Sequence, residues 1–94
     1  MTEFERKNLE EFNRMSAEKQ RKLLNWIESN CVQRKSMNIN HSSYGLKHIA
    51  EEGIHEYVSN EELIGAMIKS GYKLKQVSAL NAIFNISERS NAFR

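Results

Sequence analysis

The chain has 94 residues, 39% hydrophobic and 28% charged, which describes one small domain with a thin core and excludes a multidomain enzyme. Fourteen basic and twelve acidic residues leave a net charge of +2 at pH 7, too little by itself to imply a polyanionic partner. The single cysteine, Cys31, excludes an internal disulfide, and no apolar run approaches the ~18 residues that span a bilayer.

Thr2 with Glu5 has the spacing of a capping box, and Phe4, Leu9, Phe12 and Met15 follow at mixed helical spacing, predicting an amphipathic helix over about Glu3–Arg14. Ser16 then caps a second helix, Ala17 to Cys31, with Gln20, Leu23, Leu24, Ile27 and Cys31 on one face and Trp26 beside it. Val32 to Ser42 has no sustained periodicity and reads as the longest loop. Ser42 or Ser43 starts a third helix, to Glu52, with Leu46, Ile49 and Ala50 on its apolar side and Gly53 as the left-handed residue past its end. Ile54 to Val58 reads as a connector able to pack as one extended strand. Ser59 and Glu62 form a second capping box, flanked by the staple pair Val58 and Leu63. The helix from Asn60 to Ser70 carries Leu63, Ile64, Met67 and Ile68 and stops at Gly71, with Tyr72 folding back on Met67. The apolar period then changes to about 2, predicting a hairpin of Tyr72–Val77 and Ala82–Ser87 around Ser78–Asn81. Arg89 to Arg94 is expected to fray.

Helices followed directly by a hairpin resemble the winged helix-turn-helix family over residues 16–88. The expected class is therefore mostly α with a C-terminal β-hairpin, three helices plus a wing. An extra N-terminal helix occupies residues 1–15, and the tail covers 89–94. The runs Ser43-Tyr44-Gly45-Leu46-Lys47-His48 and Tyr57-Val58-Ser59-Asn60-Glu61-Glu62 also resemble small uncharacterised proteins of Gram-positive phages and mobile elements. The winged-helix resemblance implies nucleic-acid binding through the third helix of that core. Its non-core positions, however, are Asn60, Glu61, Glu62, Gly65, Ala66 and Lys69, which include two phosphate-repelling glutamates and few long donors for reading bases.

The weak net charge hides two basic zones. Arg14 to Ala50 holds seven basic and two acidic residues, Glu51 to Glu62 five acids and no base, and Leu63 to the end five bases and one acid. The candidate nucleic-acid-binding residues are Arg34, Lys35, Ser42, Ser43, Lys47, Lys69, Lys73, Lys75 and Arg89. The lysines and arginines neutralise phosphates, and the serine hydroxyls and free N–H groups of a helix start hold a phosphate oxygen. The plainer roles are a solvated loop for Arg34 and Lys35 and an edge guarded against aggregation for Lys73 and Lys75. Tyr44, Tyr57, Glu61 and Glu62 are the candidates for a protein interface.

His41, His48 and His55 recur every seven residues, but Gly53 interrupts the stripe and they read as surface histidines, with no metal or other cofactor expected. Cys31 at the apolar end of a helix reads as core, and adjacent glutamates diverge by about 100 degrees on a helix, so no catalytic residue is assigned. The expected protein is a non-enzymatic, cytoplasmic nucleic-acid (DNA) binder of a phage or mobile element in a bacterial host, dominated by phosphate contacts and low in sequence preference. The alternative is a module that binds or inhibits a host protein, or pairs with a second copy through its N-terminal helix. No membrane association is expected, and the opening residues lack the layout of a secretory signal.

Overall fold

The computed structural model describes residues 1–94. Four helices, α1 (Glu3–Asn13), α2 (Ala17–Asn30), α3 (Ser43–Ile54) and α4 (Asn60–Lys69), precede an antiparallel pair, β1 (Leu74–Gln76) and β2 (Ala82–Phe84), and a terminal 3-10 turn at Asn91–Phe93. Each helix starts at a hydroxyl residue: the side chains of Thr2, Ser16, Ser42 and Ser59 accept from the N–H three positions on, satisfying a donor that the helix itself leaves free. The boxes at Thr2/Glu5 and Ser59/Glu62 are both closed reciprocally. No helix is long and apolar enough to cross a membrane.

α4 lies at the centre and touches α1, α2 and α3. Its residues from Leu63 to Met67 are all buried, a wider apolar arc than the one face read from the sequence. The cause is α1, which lies so close that a Cβ on Gly65 would stand 2.5 Å from the Asn8 carbonyl oxygen and 2.6 Å from Phe12 Cβ. One hydrophobic cluster runs from Phe12 and Met15 to Ile86, so α1 shares the core of the remaining chain. The end of α4 follows the Schellman pattern, with Tyr72 N–H on Met67 O, Gly71 N–H on Ile68 O, and Gly71 at φ 88°.

Three expectations need correction. α3 does not stop before Gly53; it runs to Ile54, and the left-handed residue is His55 at φ 57°, ψ 40°. Gly53 has a different use inside the helix, since a Cβ there would overlap the Trp26 indole. Ile54 to Val58 forms no strand, because Val58 is tied back to α3 through its N–H on Glu51 Oε1. The tail beyond Arg89 does not fray. Ser90 is buried with its hydroxyl accepting the Val32 N–H at 2.9 Å, and the Phe93 ring stacks on His41 at 3.6 Å.

The hairpin has the register Leu74↔Phe84, Lys75↔Ile83 and Gln76↔Ala82, with both strands shorter than the alternating runs. The ladder ends at Asn85 because that residue's carbonyl accepts from Arg34 N–H at 2.8 Å, while its side-chain oxygen takes the Lys73 N–H. The long loop is not free either. Gln33 bridges to Ile86 and Ser42 to Ile83, which places the two ends of the loop along β2 and the residues that follow it, on the side away from β1.

Candidate functional site

β2 collects basic residues from two distant parts of the chain. On one side lie Lys75 of β1 and Lys73 just before it, both exposed and two positions apart in extended chain. On the other side the loop brings Arg34 and Lys35. Buried Asn85 joins the two flanks: its Oδ1 accepts the Lys73 N–H at 2.8 Å, and its Nδ2 donates to Gln33 Oε1 at 3.2 Å and Arg34 O at 3.1 Å. An amide suits this position because it supplies an acceptor and two donors from one planar group. The Arg34 guanidinium is held by Ser36 O and Met37 O, each at 3.1 Å, and Lys35 is exposed.

Lys69 and Arg89 are also exposed. Lys69 lines the cleft between α2 and α4 that includes Gln33, one residue before Arg34. None of Arg34, Lys35, Lys69, Lys73, Lys75 and Arg89 takes part in an ion pair. Five of the other eight bases are paired internally, Arg6 by Glu3 and Glu10, Arg14 by Glu11, Lys19 by Glu62, Lys22 by Glu18 and Glu56, and Lys47 by Glu51, while Lys7, Arg21 and Arg94 are not.

Three residues expected at a phosphate site serve the fold instead. Lys47 is only 7% exposed; its ammonium lies 2.6 Å from Glu51 Oε1 and 4.7 Å from the centre of the Tyr57 ring. The hydrogen bond to Glu51 raises the Lys47 pKa and lowers that of Glu51, outweighing the opposite effect of burial on each group. Ser43 is fully buried, its hydroxyl accepting the Ala82 N–H at 3.0 Å and donating to Asn81 Oδ1 at 3.5 Å. Ser42 accepts from Gly45 N–H as the cap of α3. Ser42 and Ser43 fix α3 against β2, whereas Lys47 joins α3 to the Tyr57 connector.

The protein-interface candidates divide. Tyr44 and Tyr57 are 55% and 65% exposed, Tyr44 meeting His48 edge to face at 4.6 Å, and Glu61 is exposed without an ion pair. Glu62 is committed to the Ser59 cap and to Lys19 at 3.2 Å. Cys31 is buried, which pushes its thiol up to about 12, so it is protonated at neutral pH. The histidines take separate places, and no group of three or more His, Cys, Asp or Glu side chains is positioned to hold a metal ion.

A polar cluster that sequence reasoning missed closes the loop. Glu88 accepts from Asn38 Nδ2 at 2.9 Å and Asn40 Nδ2 at 3.0 Å, and lies 3.0 Å from His41 Nε2. These hydrogen bonds, Asn38 first, hold its carboxyl down to about 2. The partners are 47 to 50 residues apart, so no local pattern announces them. A run of short polar residues reads as an ordinary loop until the buried Asn38 is seen. Comparison of the chain with family models, curated proteins and solved structures found no match.

Proposed function

We propose that the chain is a non-enzymatic nucleic-acid-binding protein that grips phosphates with the basic flanks of β2. The observation that carries this reading is the Asn85 junction, which holds Arg34 and Lys35 on one side of β2 and Lys73 and Lys75 on the other, all outside any ion pair. In winged-helix terms α2, α3 and α4 are the three helices, the hairpin is the wing, and Lys69 and Arg89 extend the surface. Low sequence preference follows from α4, whose middle lies under α1 and whose exposed first turn carries Glu61. Regulation, replication or transfer of a mobile element are the settings the sequence resemblance suggests.

The test is binding to random single-stranded and double-stranded oligonucleotides at two salt concentrations, with Lys73→Glu/Lys75→Glu as the comparison. Salt-sensitive binding that the double variant abolishes supports the reading; affinity unchanged by charge reversal removes the sheet from it.

A second reading is favoured by Tyr44 and Tyr57, whose rings are 55% and 65% exposed and suit a protein partner, with the acid-rich residues 51–62 as the charge such a partner would meet. Glu61→Gln separates the two, because Glu61 is free whereas Glu62 is structural. A nucleic-acid binder tightens when Glu61 is neutralised, and a binder of basic protein weakens.

A further inference from the structure

Ile39 is 82% exposed in a loop that is otherwise fastened down. Before it, Asn38 is fully buried; its N–H donates to Phe84 O at 2.8 Å and its Nδ2 to Ile86 O at 3.0 Å and to Glu88. After it, Asn40 gives its N–H to Asn38 Oδ1 at 2.9 Å and its side chain to Glu88, and His41 is stacked on Phe93. A scattered exposed apolar side chain needs no explanation. Ile39 differs because both neighbours are locked, so the fold holds a branched aliphatic group out in water on a rigid mount. A preformed mount of this kind reduces the ordering cost of inserting that group into a partner.

The surroundings select the partner. The Arg34 guanidinium is bonded to Met37 O, two residues before Ile39, and Lys35 adjoins it, both cations without an ion pair. The carboxylate of the cluster, Glu88, is turned onto the Asn38, Asn40 and His41 donors. An exposed apolar side chain in a loop that also carries the unpaired cations Arg34 and Lys35 matches duplex DNA approached along the minor groove, where aliphatic residues enter between base pairs while cations hold the adjoining phosphates.

We propose that Ile39 is a wedge that enters a base step of duplex DNA from the minor groove, with Arg34 and Lys35 on the flanking phosphates. This rests on the nucleic-acid reading above and adds duplex deformation to it. Flexible pyrimidine–purine steps are then the preferred sites, because they unstack at least cost.

The experiment uses the full chain and duplexes carrying 2-aminopurine at a TA step, with end-to-end energy transfer to report bending. The wild type is expected to raise 2-aminopurine emission and shorten the end-to-end distance. Ile39→Ala is expected to lose both effects and about ten-fold in duplex affinity, the value of burying one such side chain, while Ile39→Leu retains them. Thermal melting of each variant establishes that it is folded, and Ile39→Ser serves in place of Ile39→Ala should that variant not fold. Salt-dependent binding without unstacking, or an Ile39→Ala variant that unstacks as the wild type does, overturns the wedge and leaves phosphate binding intact. Absence of any nucleic-acid binding at low salt overturns both the wedge and the nucleic-acid reading.

Discussion

Neutralising Lys73 and Lys75 together, as Lys73→Gln/Lys75→Gln, tests the site through its salt dependence. If Arg34, Lys35, Lys69, Lys73, Lys75 and Arg89 all meet phosphates, about 6 counterions are displaced from a duplex, and the slope of log affinity against log salt is about −5.4. Raising salt from about 50 to about 200 mM then weakens binding about 2,000-fold. Removing two contacts lowers the slope to about −3.6, and the same change in salt costs about 150-fold. Both lysines are exposed and free of internal partners, so stability should stay within about 0.5 kcal/mol of the wild type. Fluorescence anisotropy of a labelled random duplex over a salt series measures the slope. A folded double variant whose slope equals that of the wild type would refute the reasoning, whatever its affinity at one salt concentration.

Asn85→Ala removes the acceptor for Lys73 N–H and the donor to Arg34 O, and is expected to destabilise by about 2 to 3 kcal/mol in urea denaturation and to weaken nucleic-acid binding with it. Gly65→Ala forces a methyl against the Asn8 carbonyl and Phe12, and a loss of about 1 to 3 kcal/mol is expected; no loss would mean that α1 can move away freely. Gly53→Ala displaces the only tryptophan, Trp26, so a red shift in its emission is expected, and an unchanged spectrum would contradict the close approach. Glu88 has a folded-state pKa of about 2 against an ordinary 4.5, so its contribution to stability is complete above pH 4.5 and is lost as the pH falls toward 2. The stability difference between the wild type and Glu88→Gln should therefore be constant above pH 4.5 and shrink below it; a difference flat to pH 2 counts against the cluster.

Element starts were legible because caps are local chemistry. Ser59, Glu62 and Gly71 bound α4 through contacts no more than five residues long, and the structure has the bonds that spacing implies. Where a long-range contact competes, local reading failed. Gly53 looks like a helix terminator until Trp26, from another helix, is laid on it. Lys47 looks like an exposed cation although Glu51 stands one turn on in the same helix, because its burial also depends on Tyr57, which lies beyond the helix. The Lys73 and Arg34 zones could each be seen as basic, but their junction depends on one buried asparagine. In the alternating run from Ala82 to Ser87, Asn85 takes an ordinary outward position.

The bonds joining the loop to the last strand and tail connect residues 46 to 58 positions apart, whereas those that start and end the helices are local. Closing such a span costs chain entropy before any bond is gained, so the helices can form early and the sheet region is a late event in folding. A partly folded chain would then display two separate basic stretches with nothing to align them. Under the proposed function, joint engagement of both stretches is thus a property of the finished tertiary structure, and a mild destabilisation anywhere in the core would appear first as loss of binding.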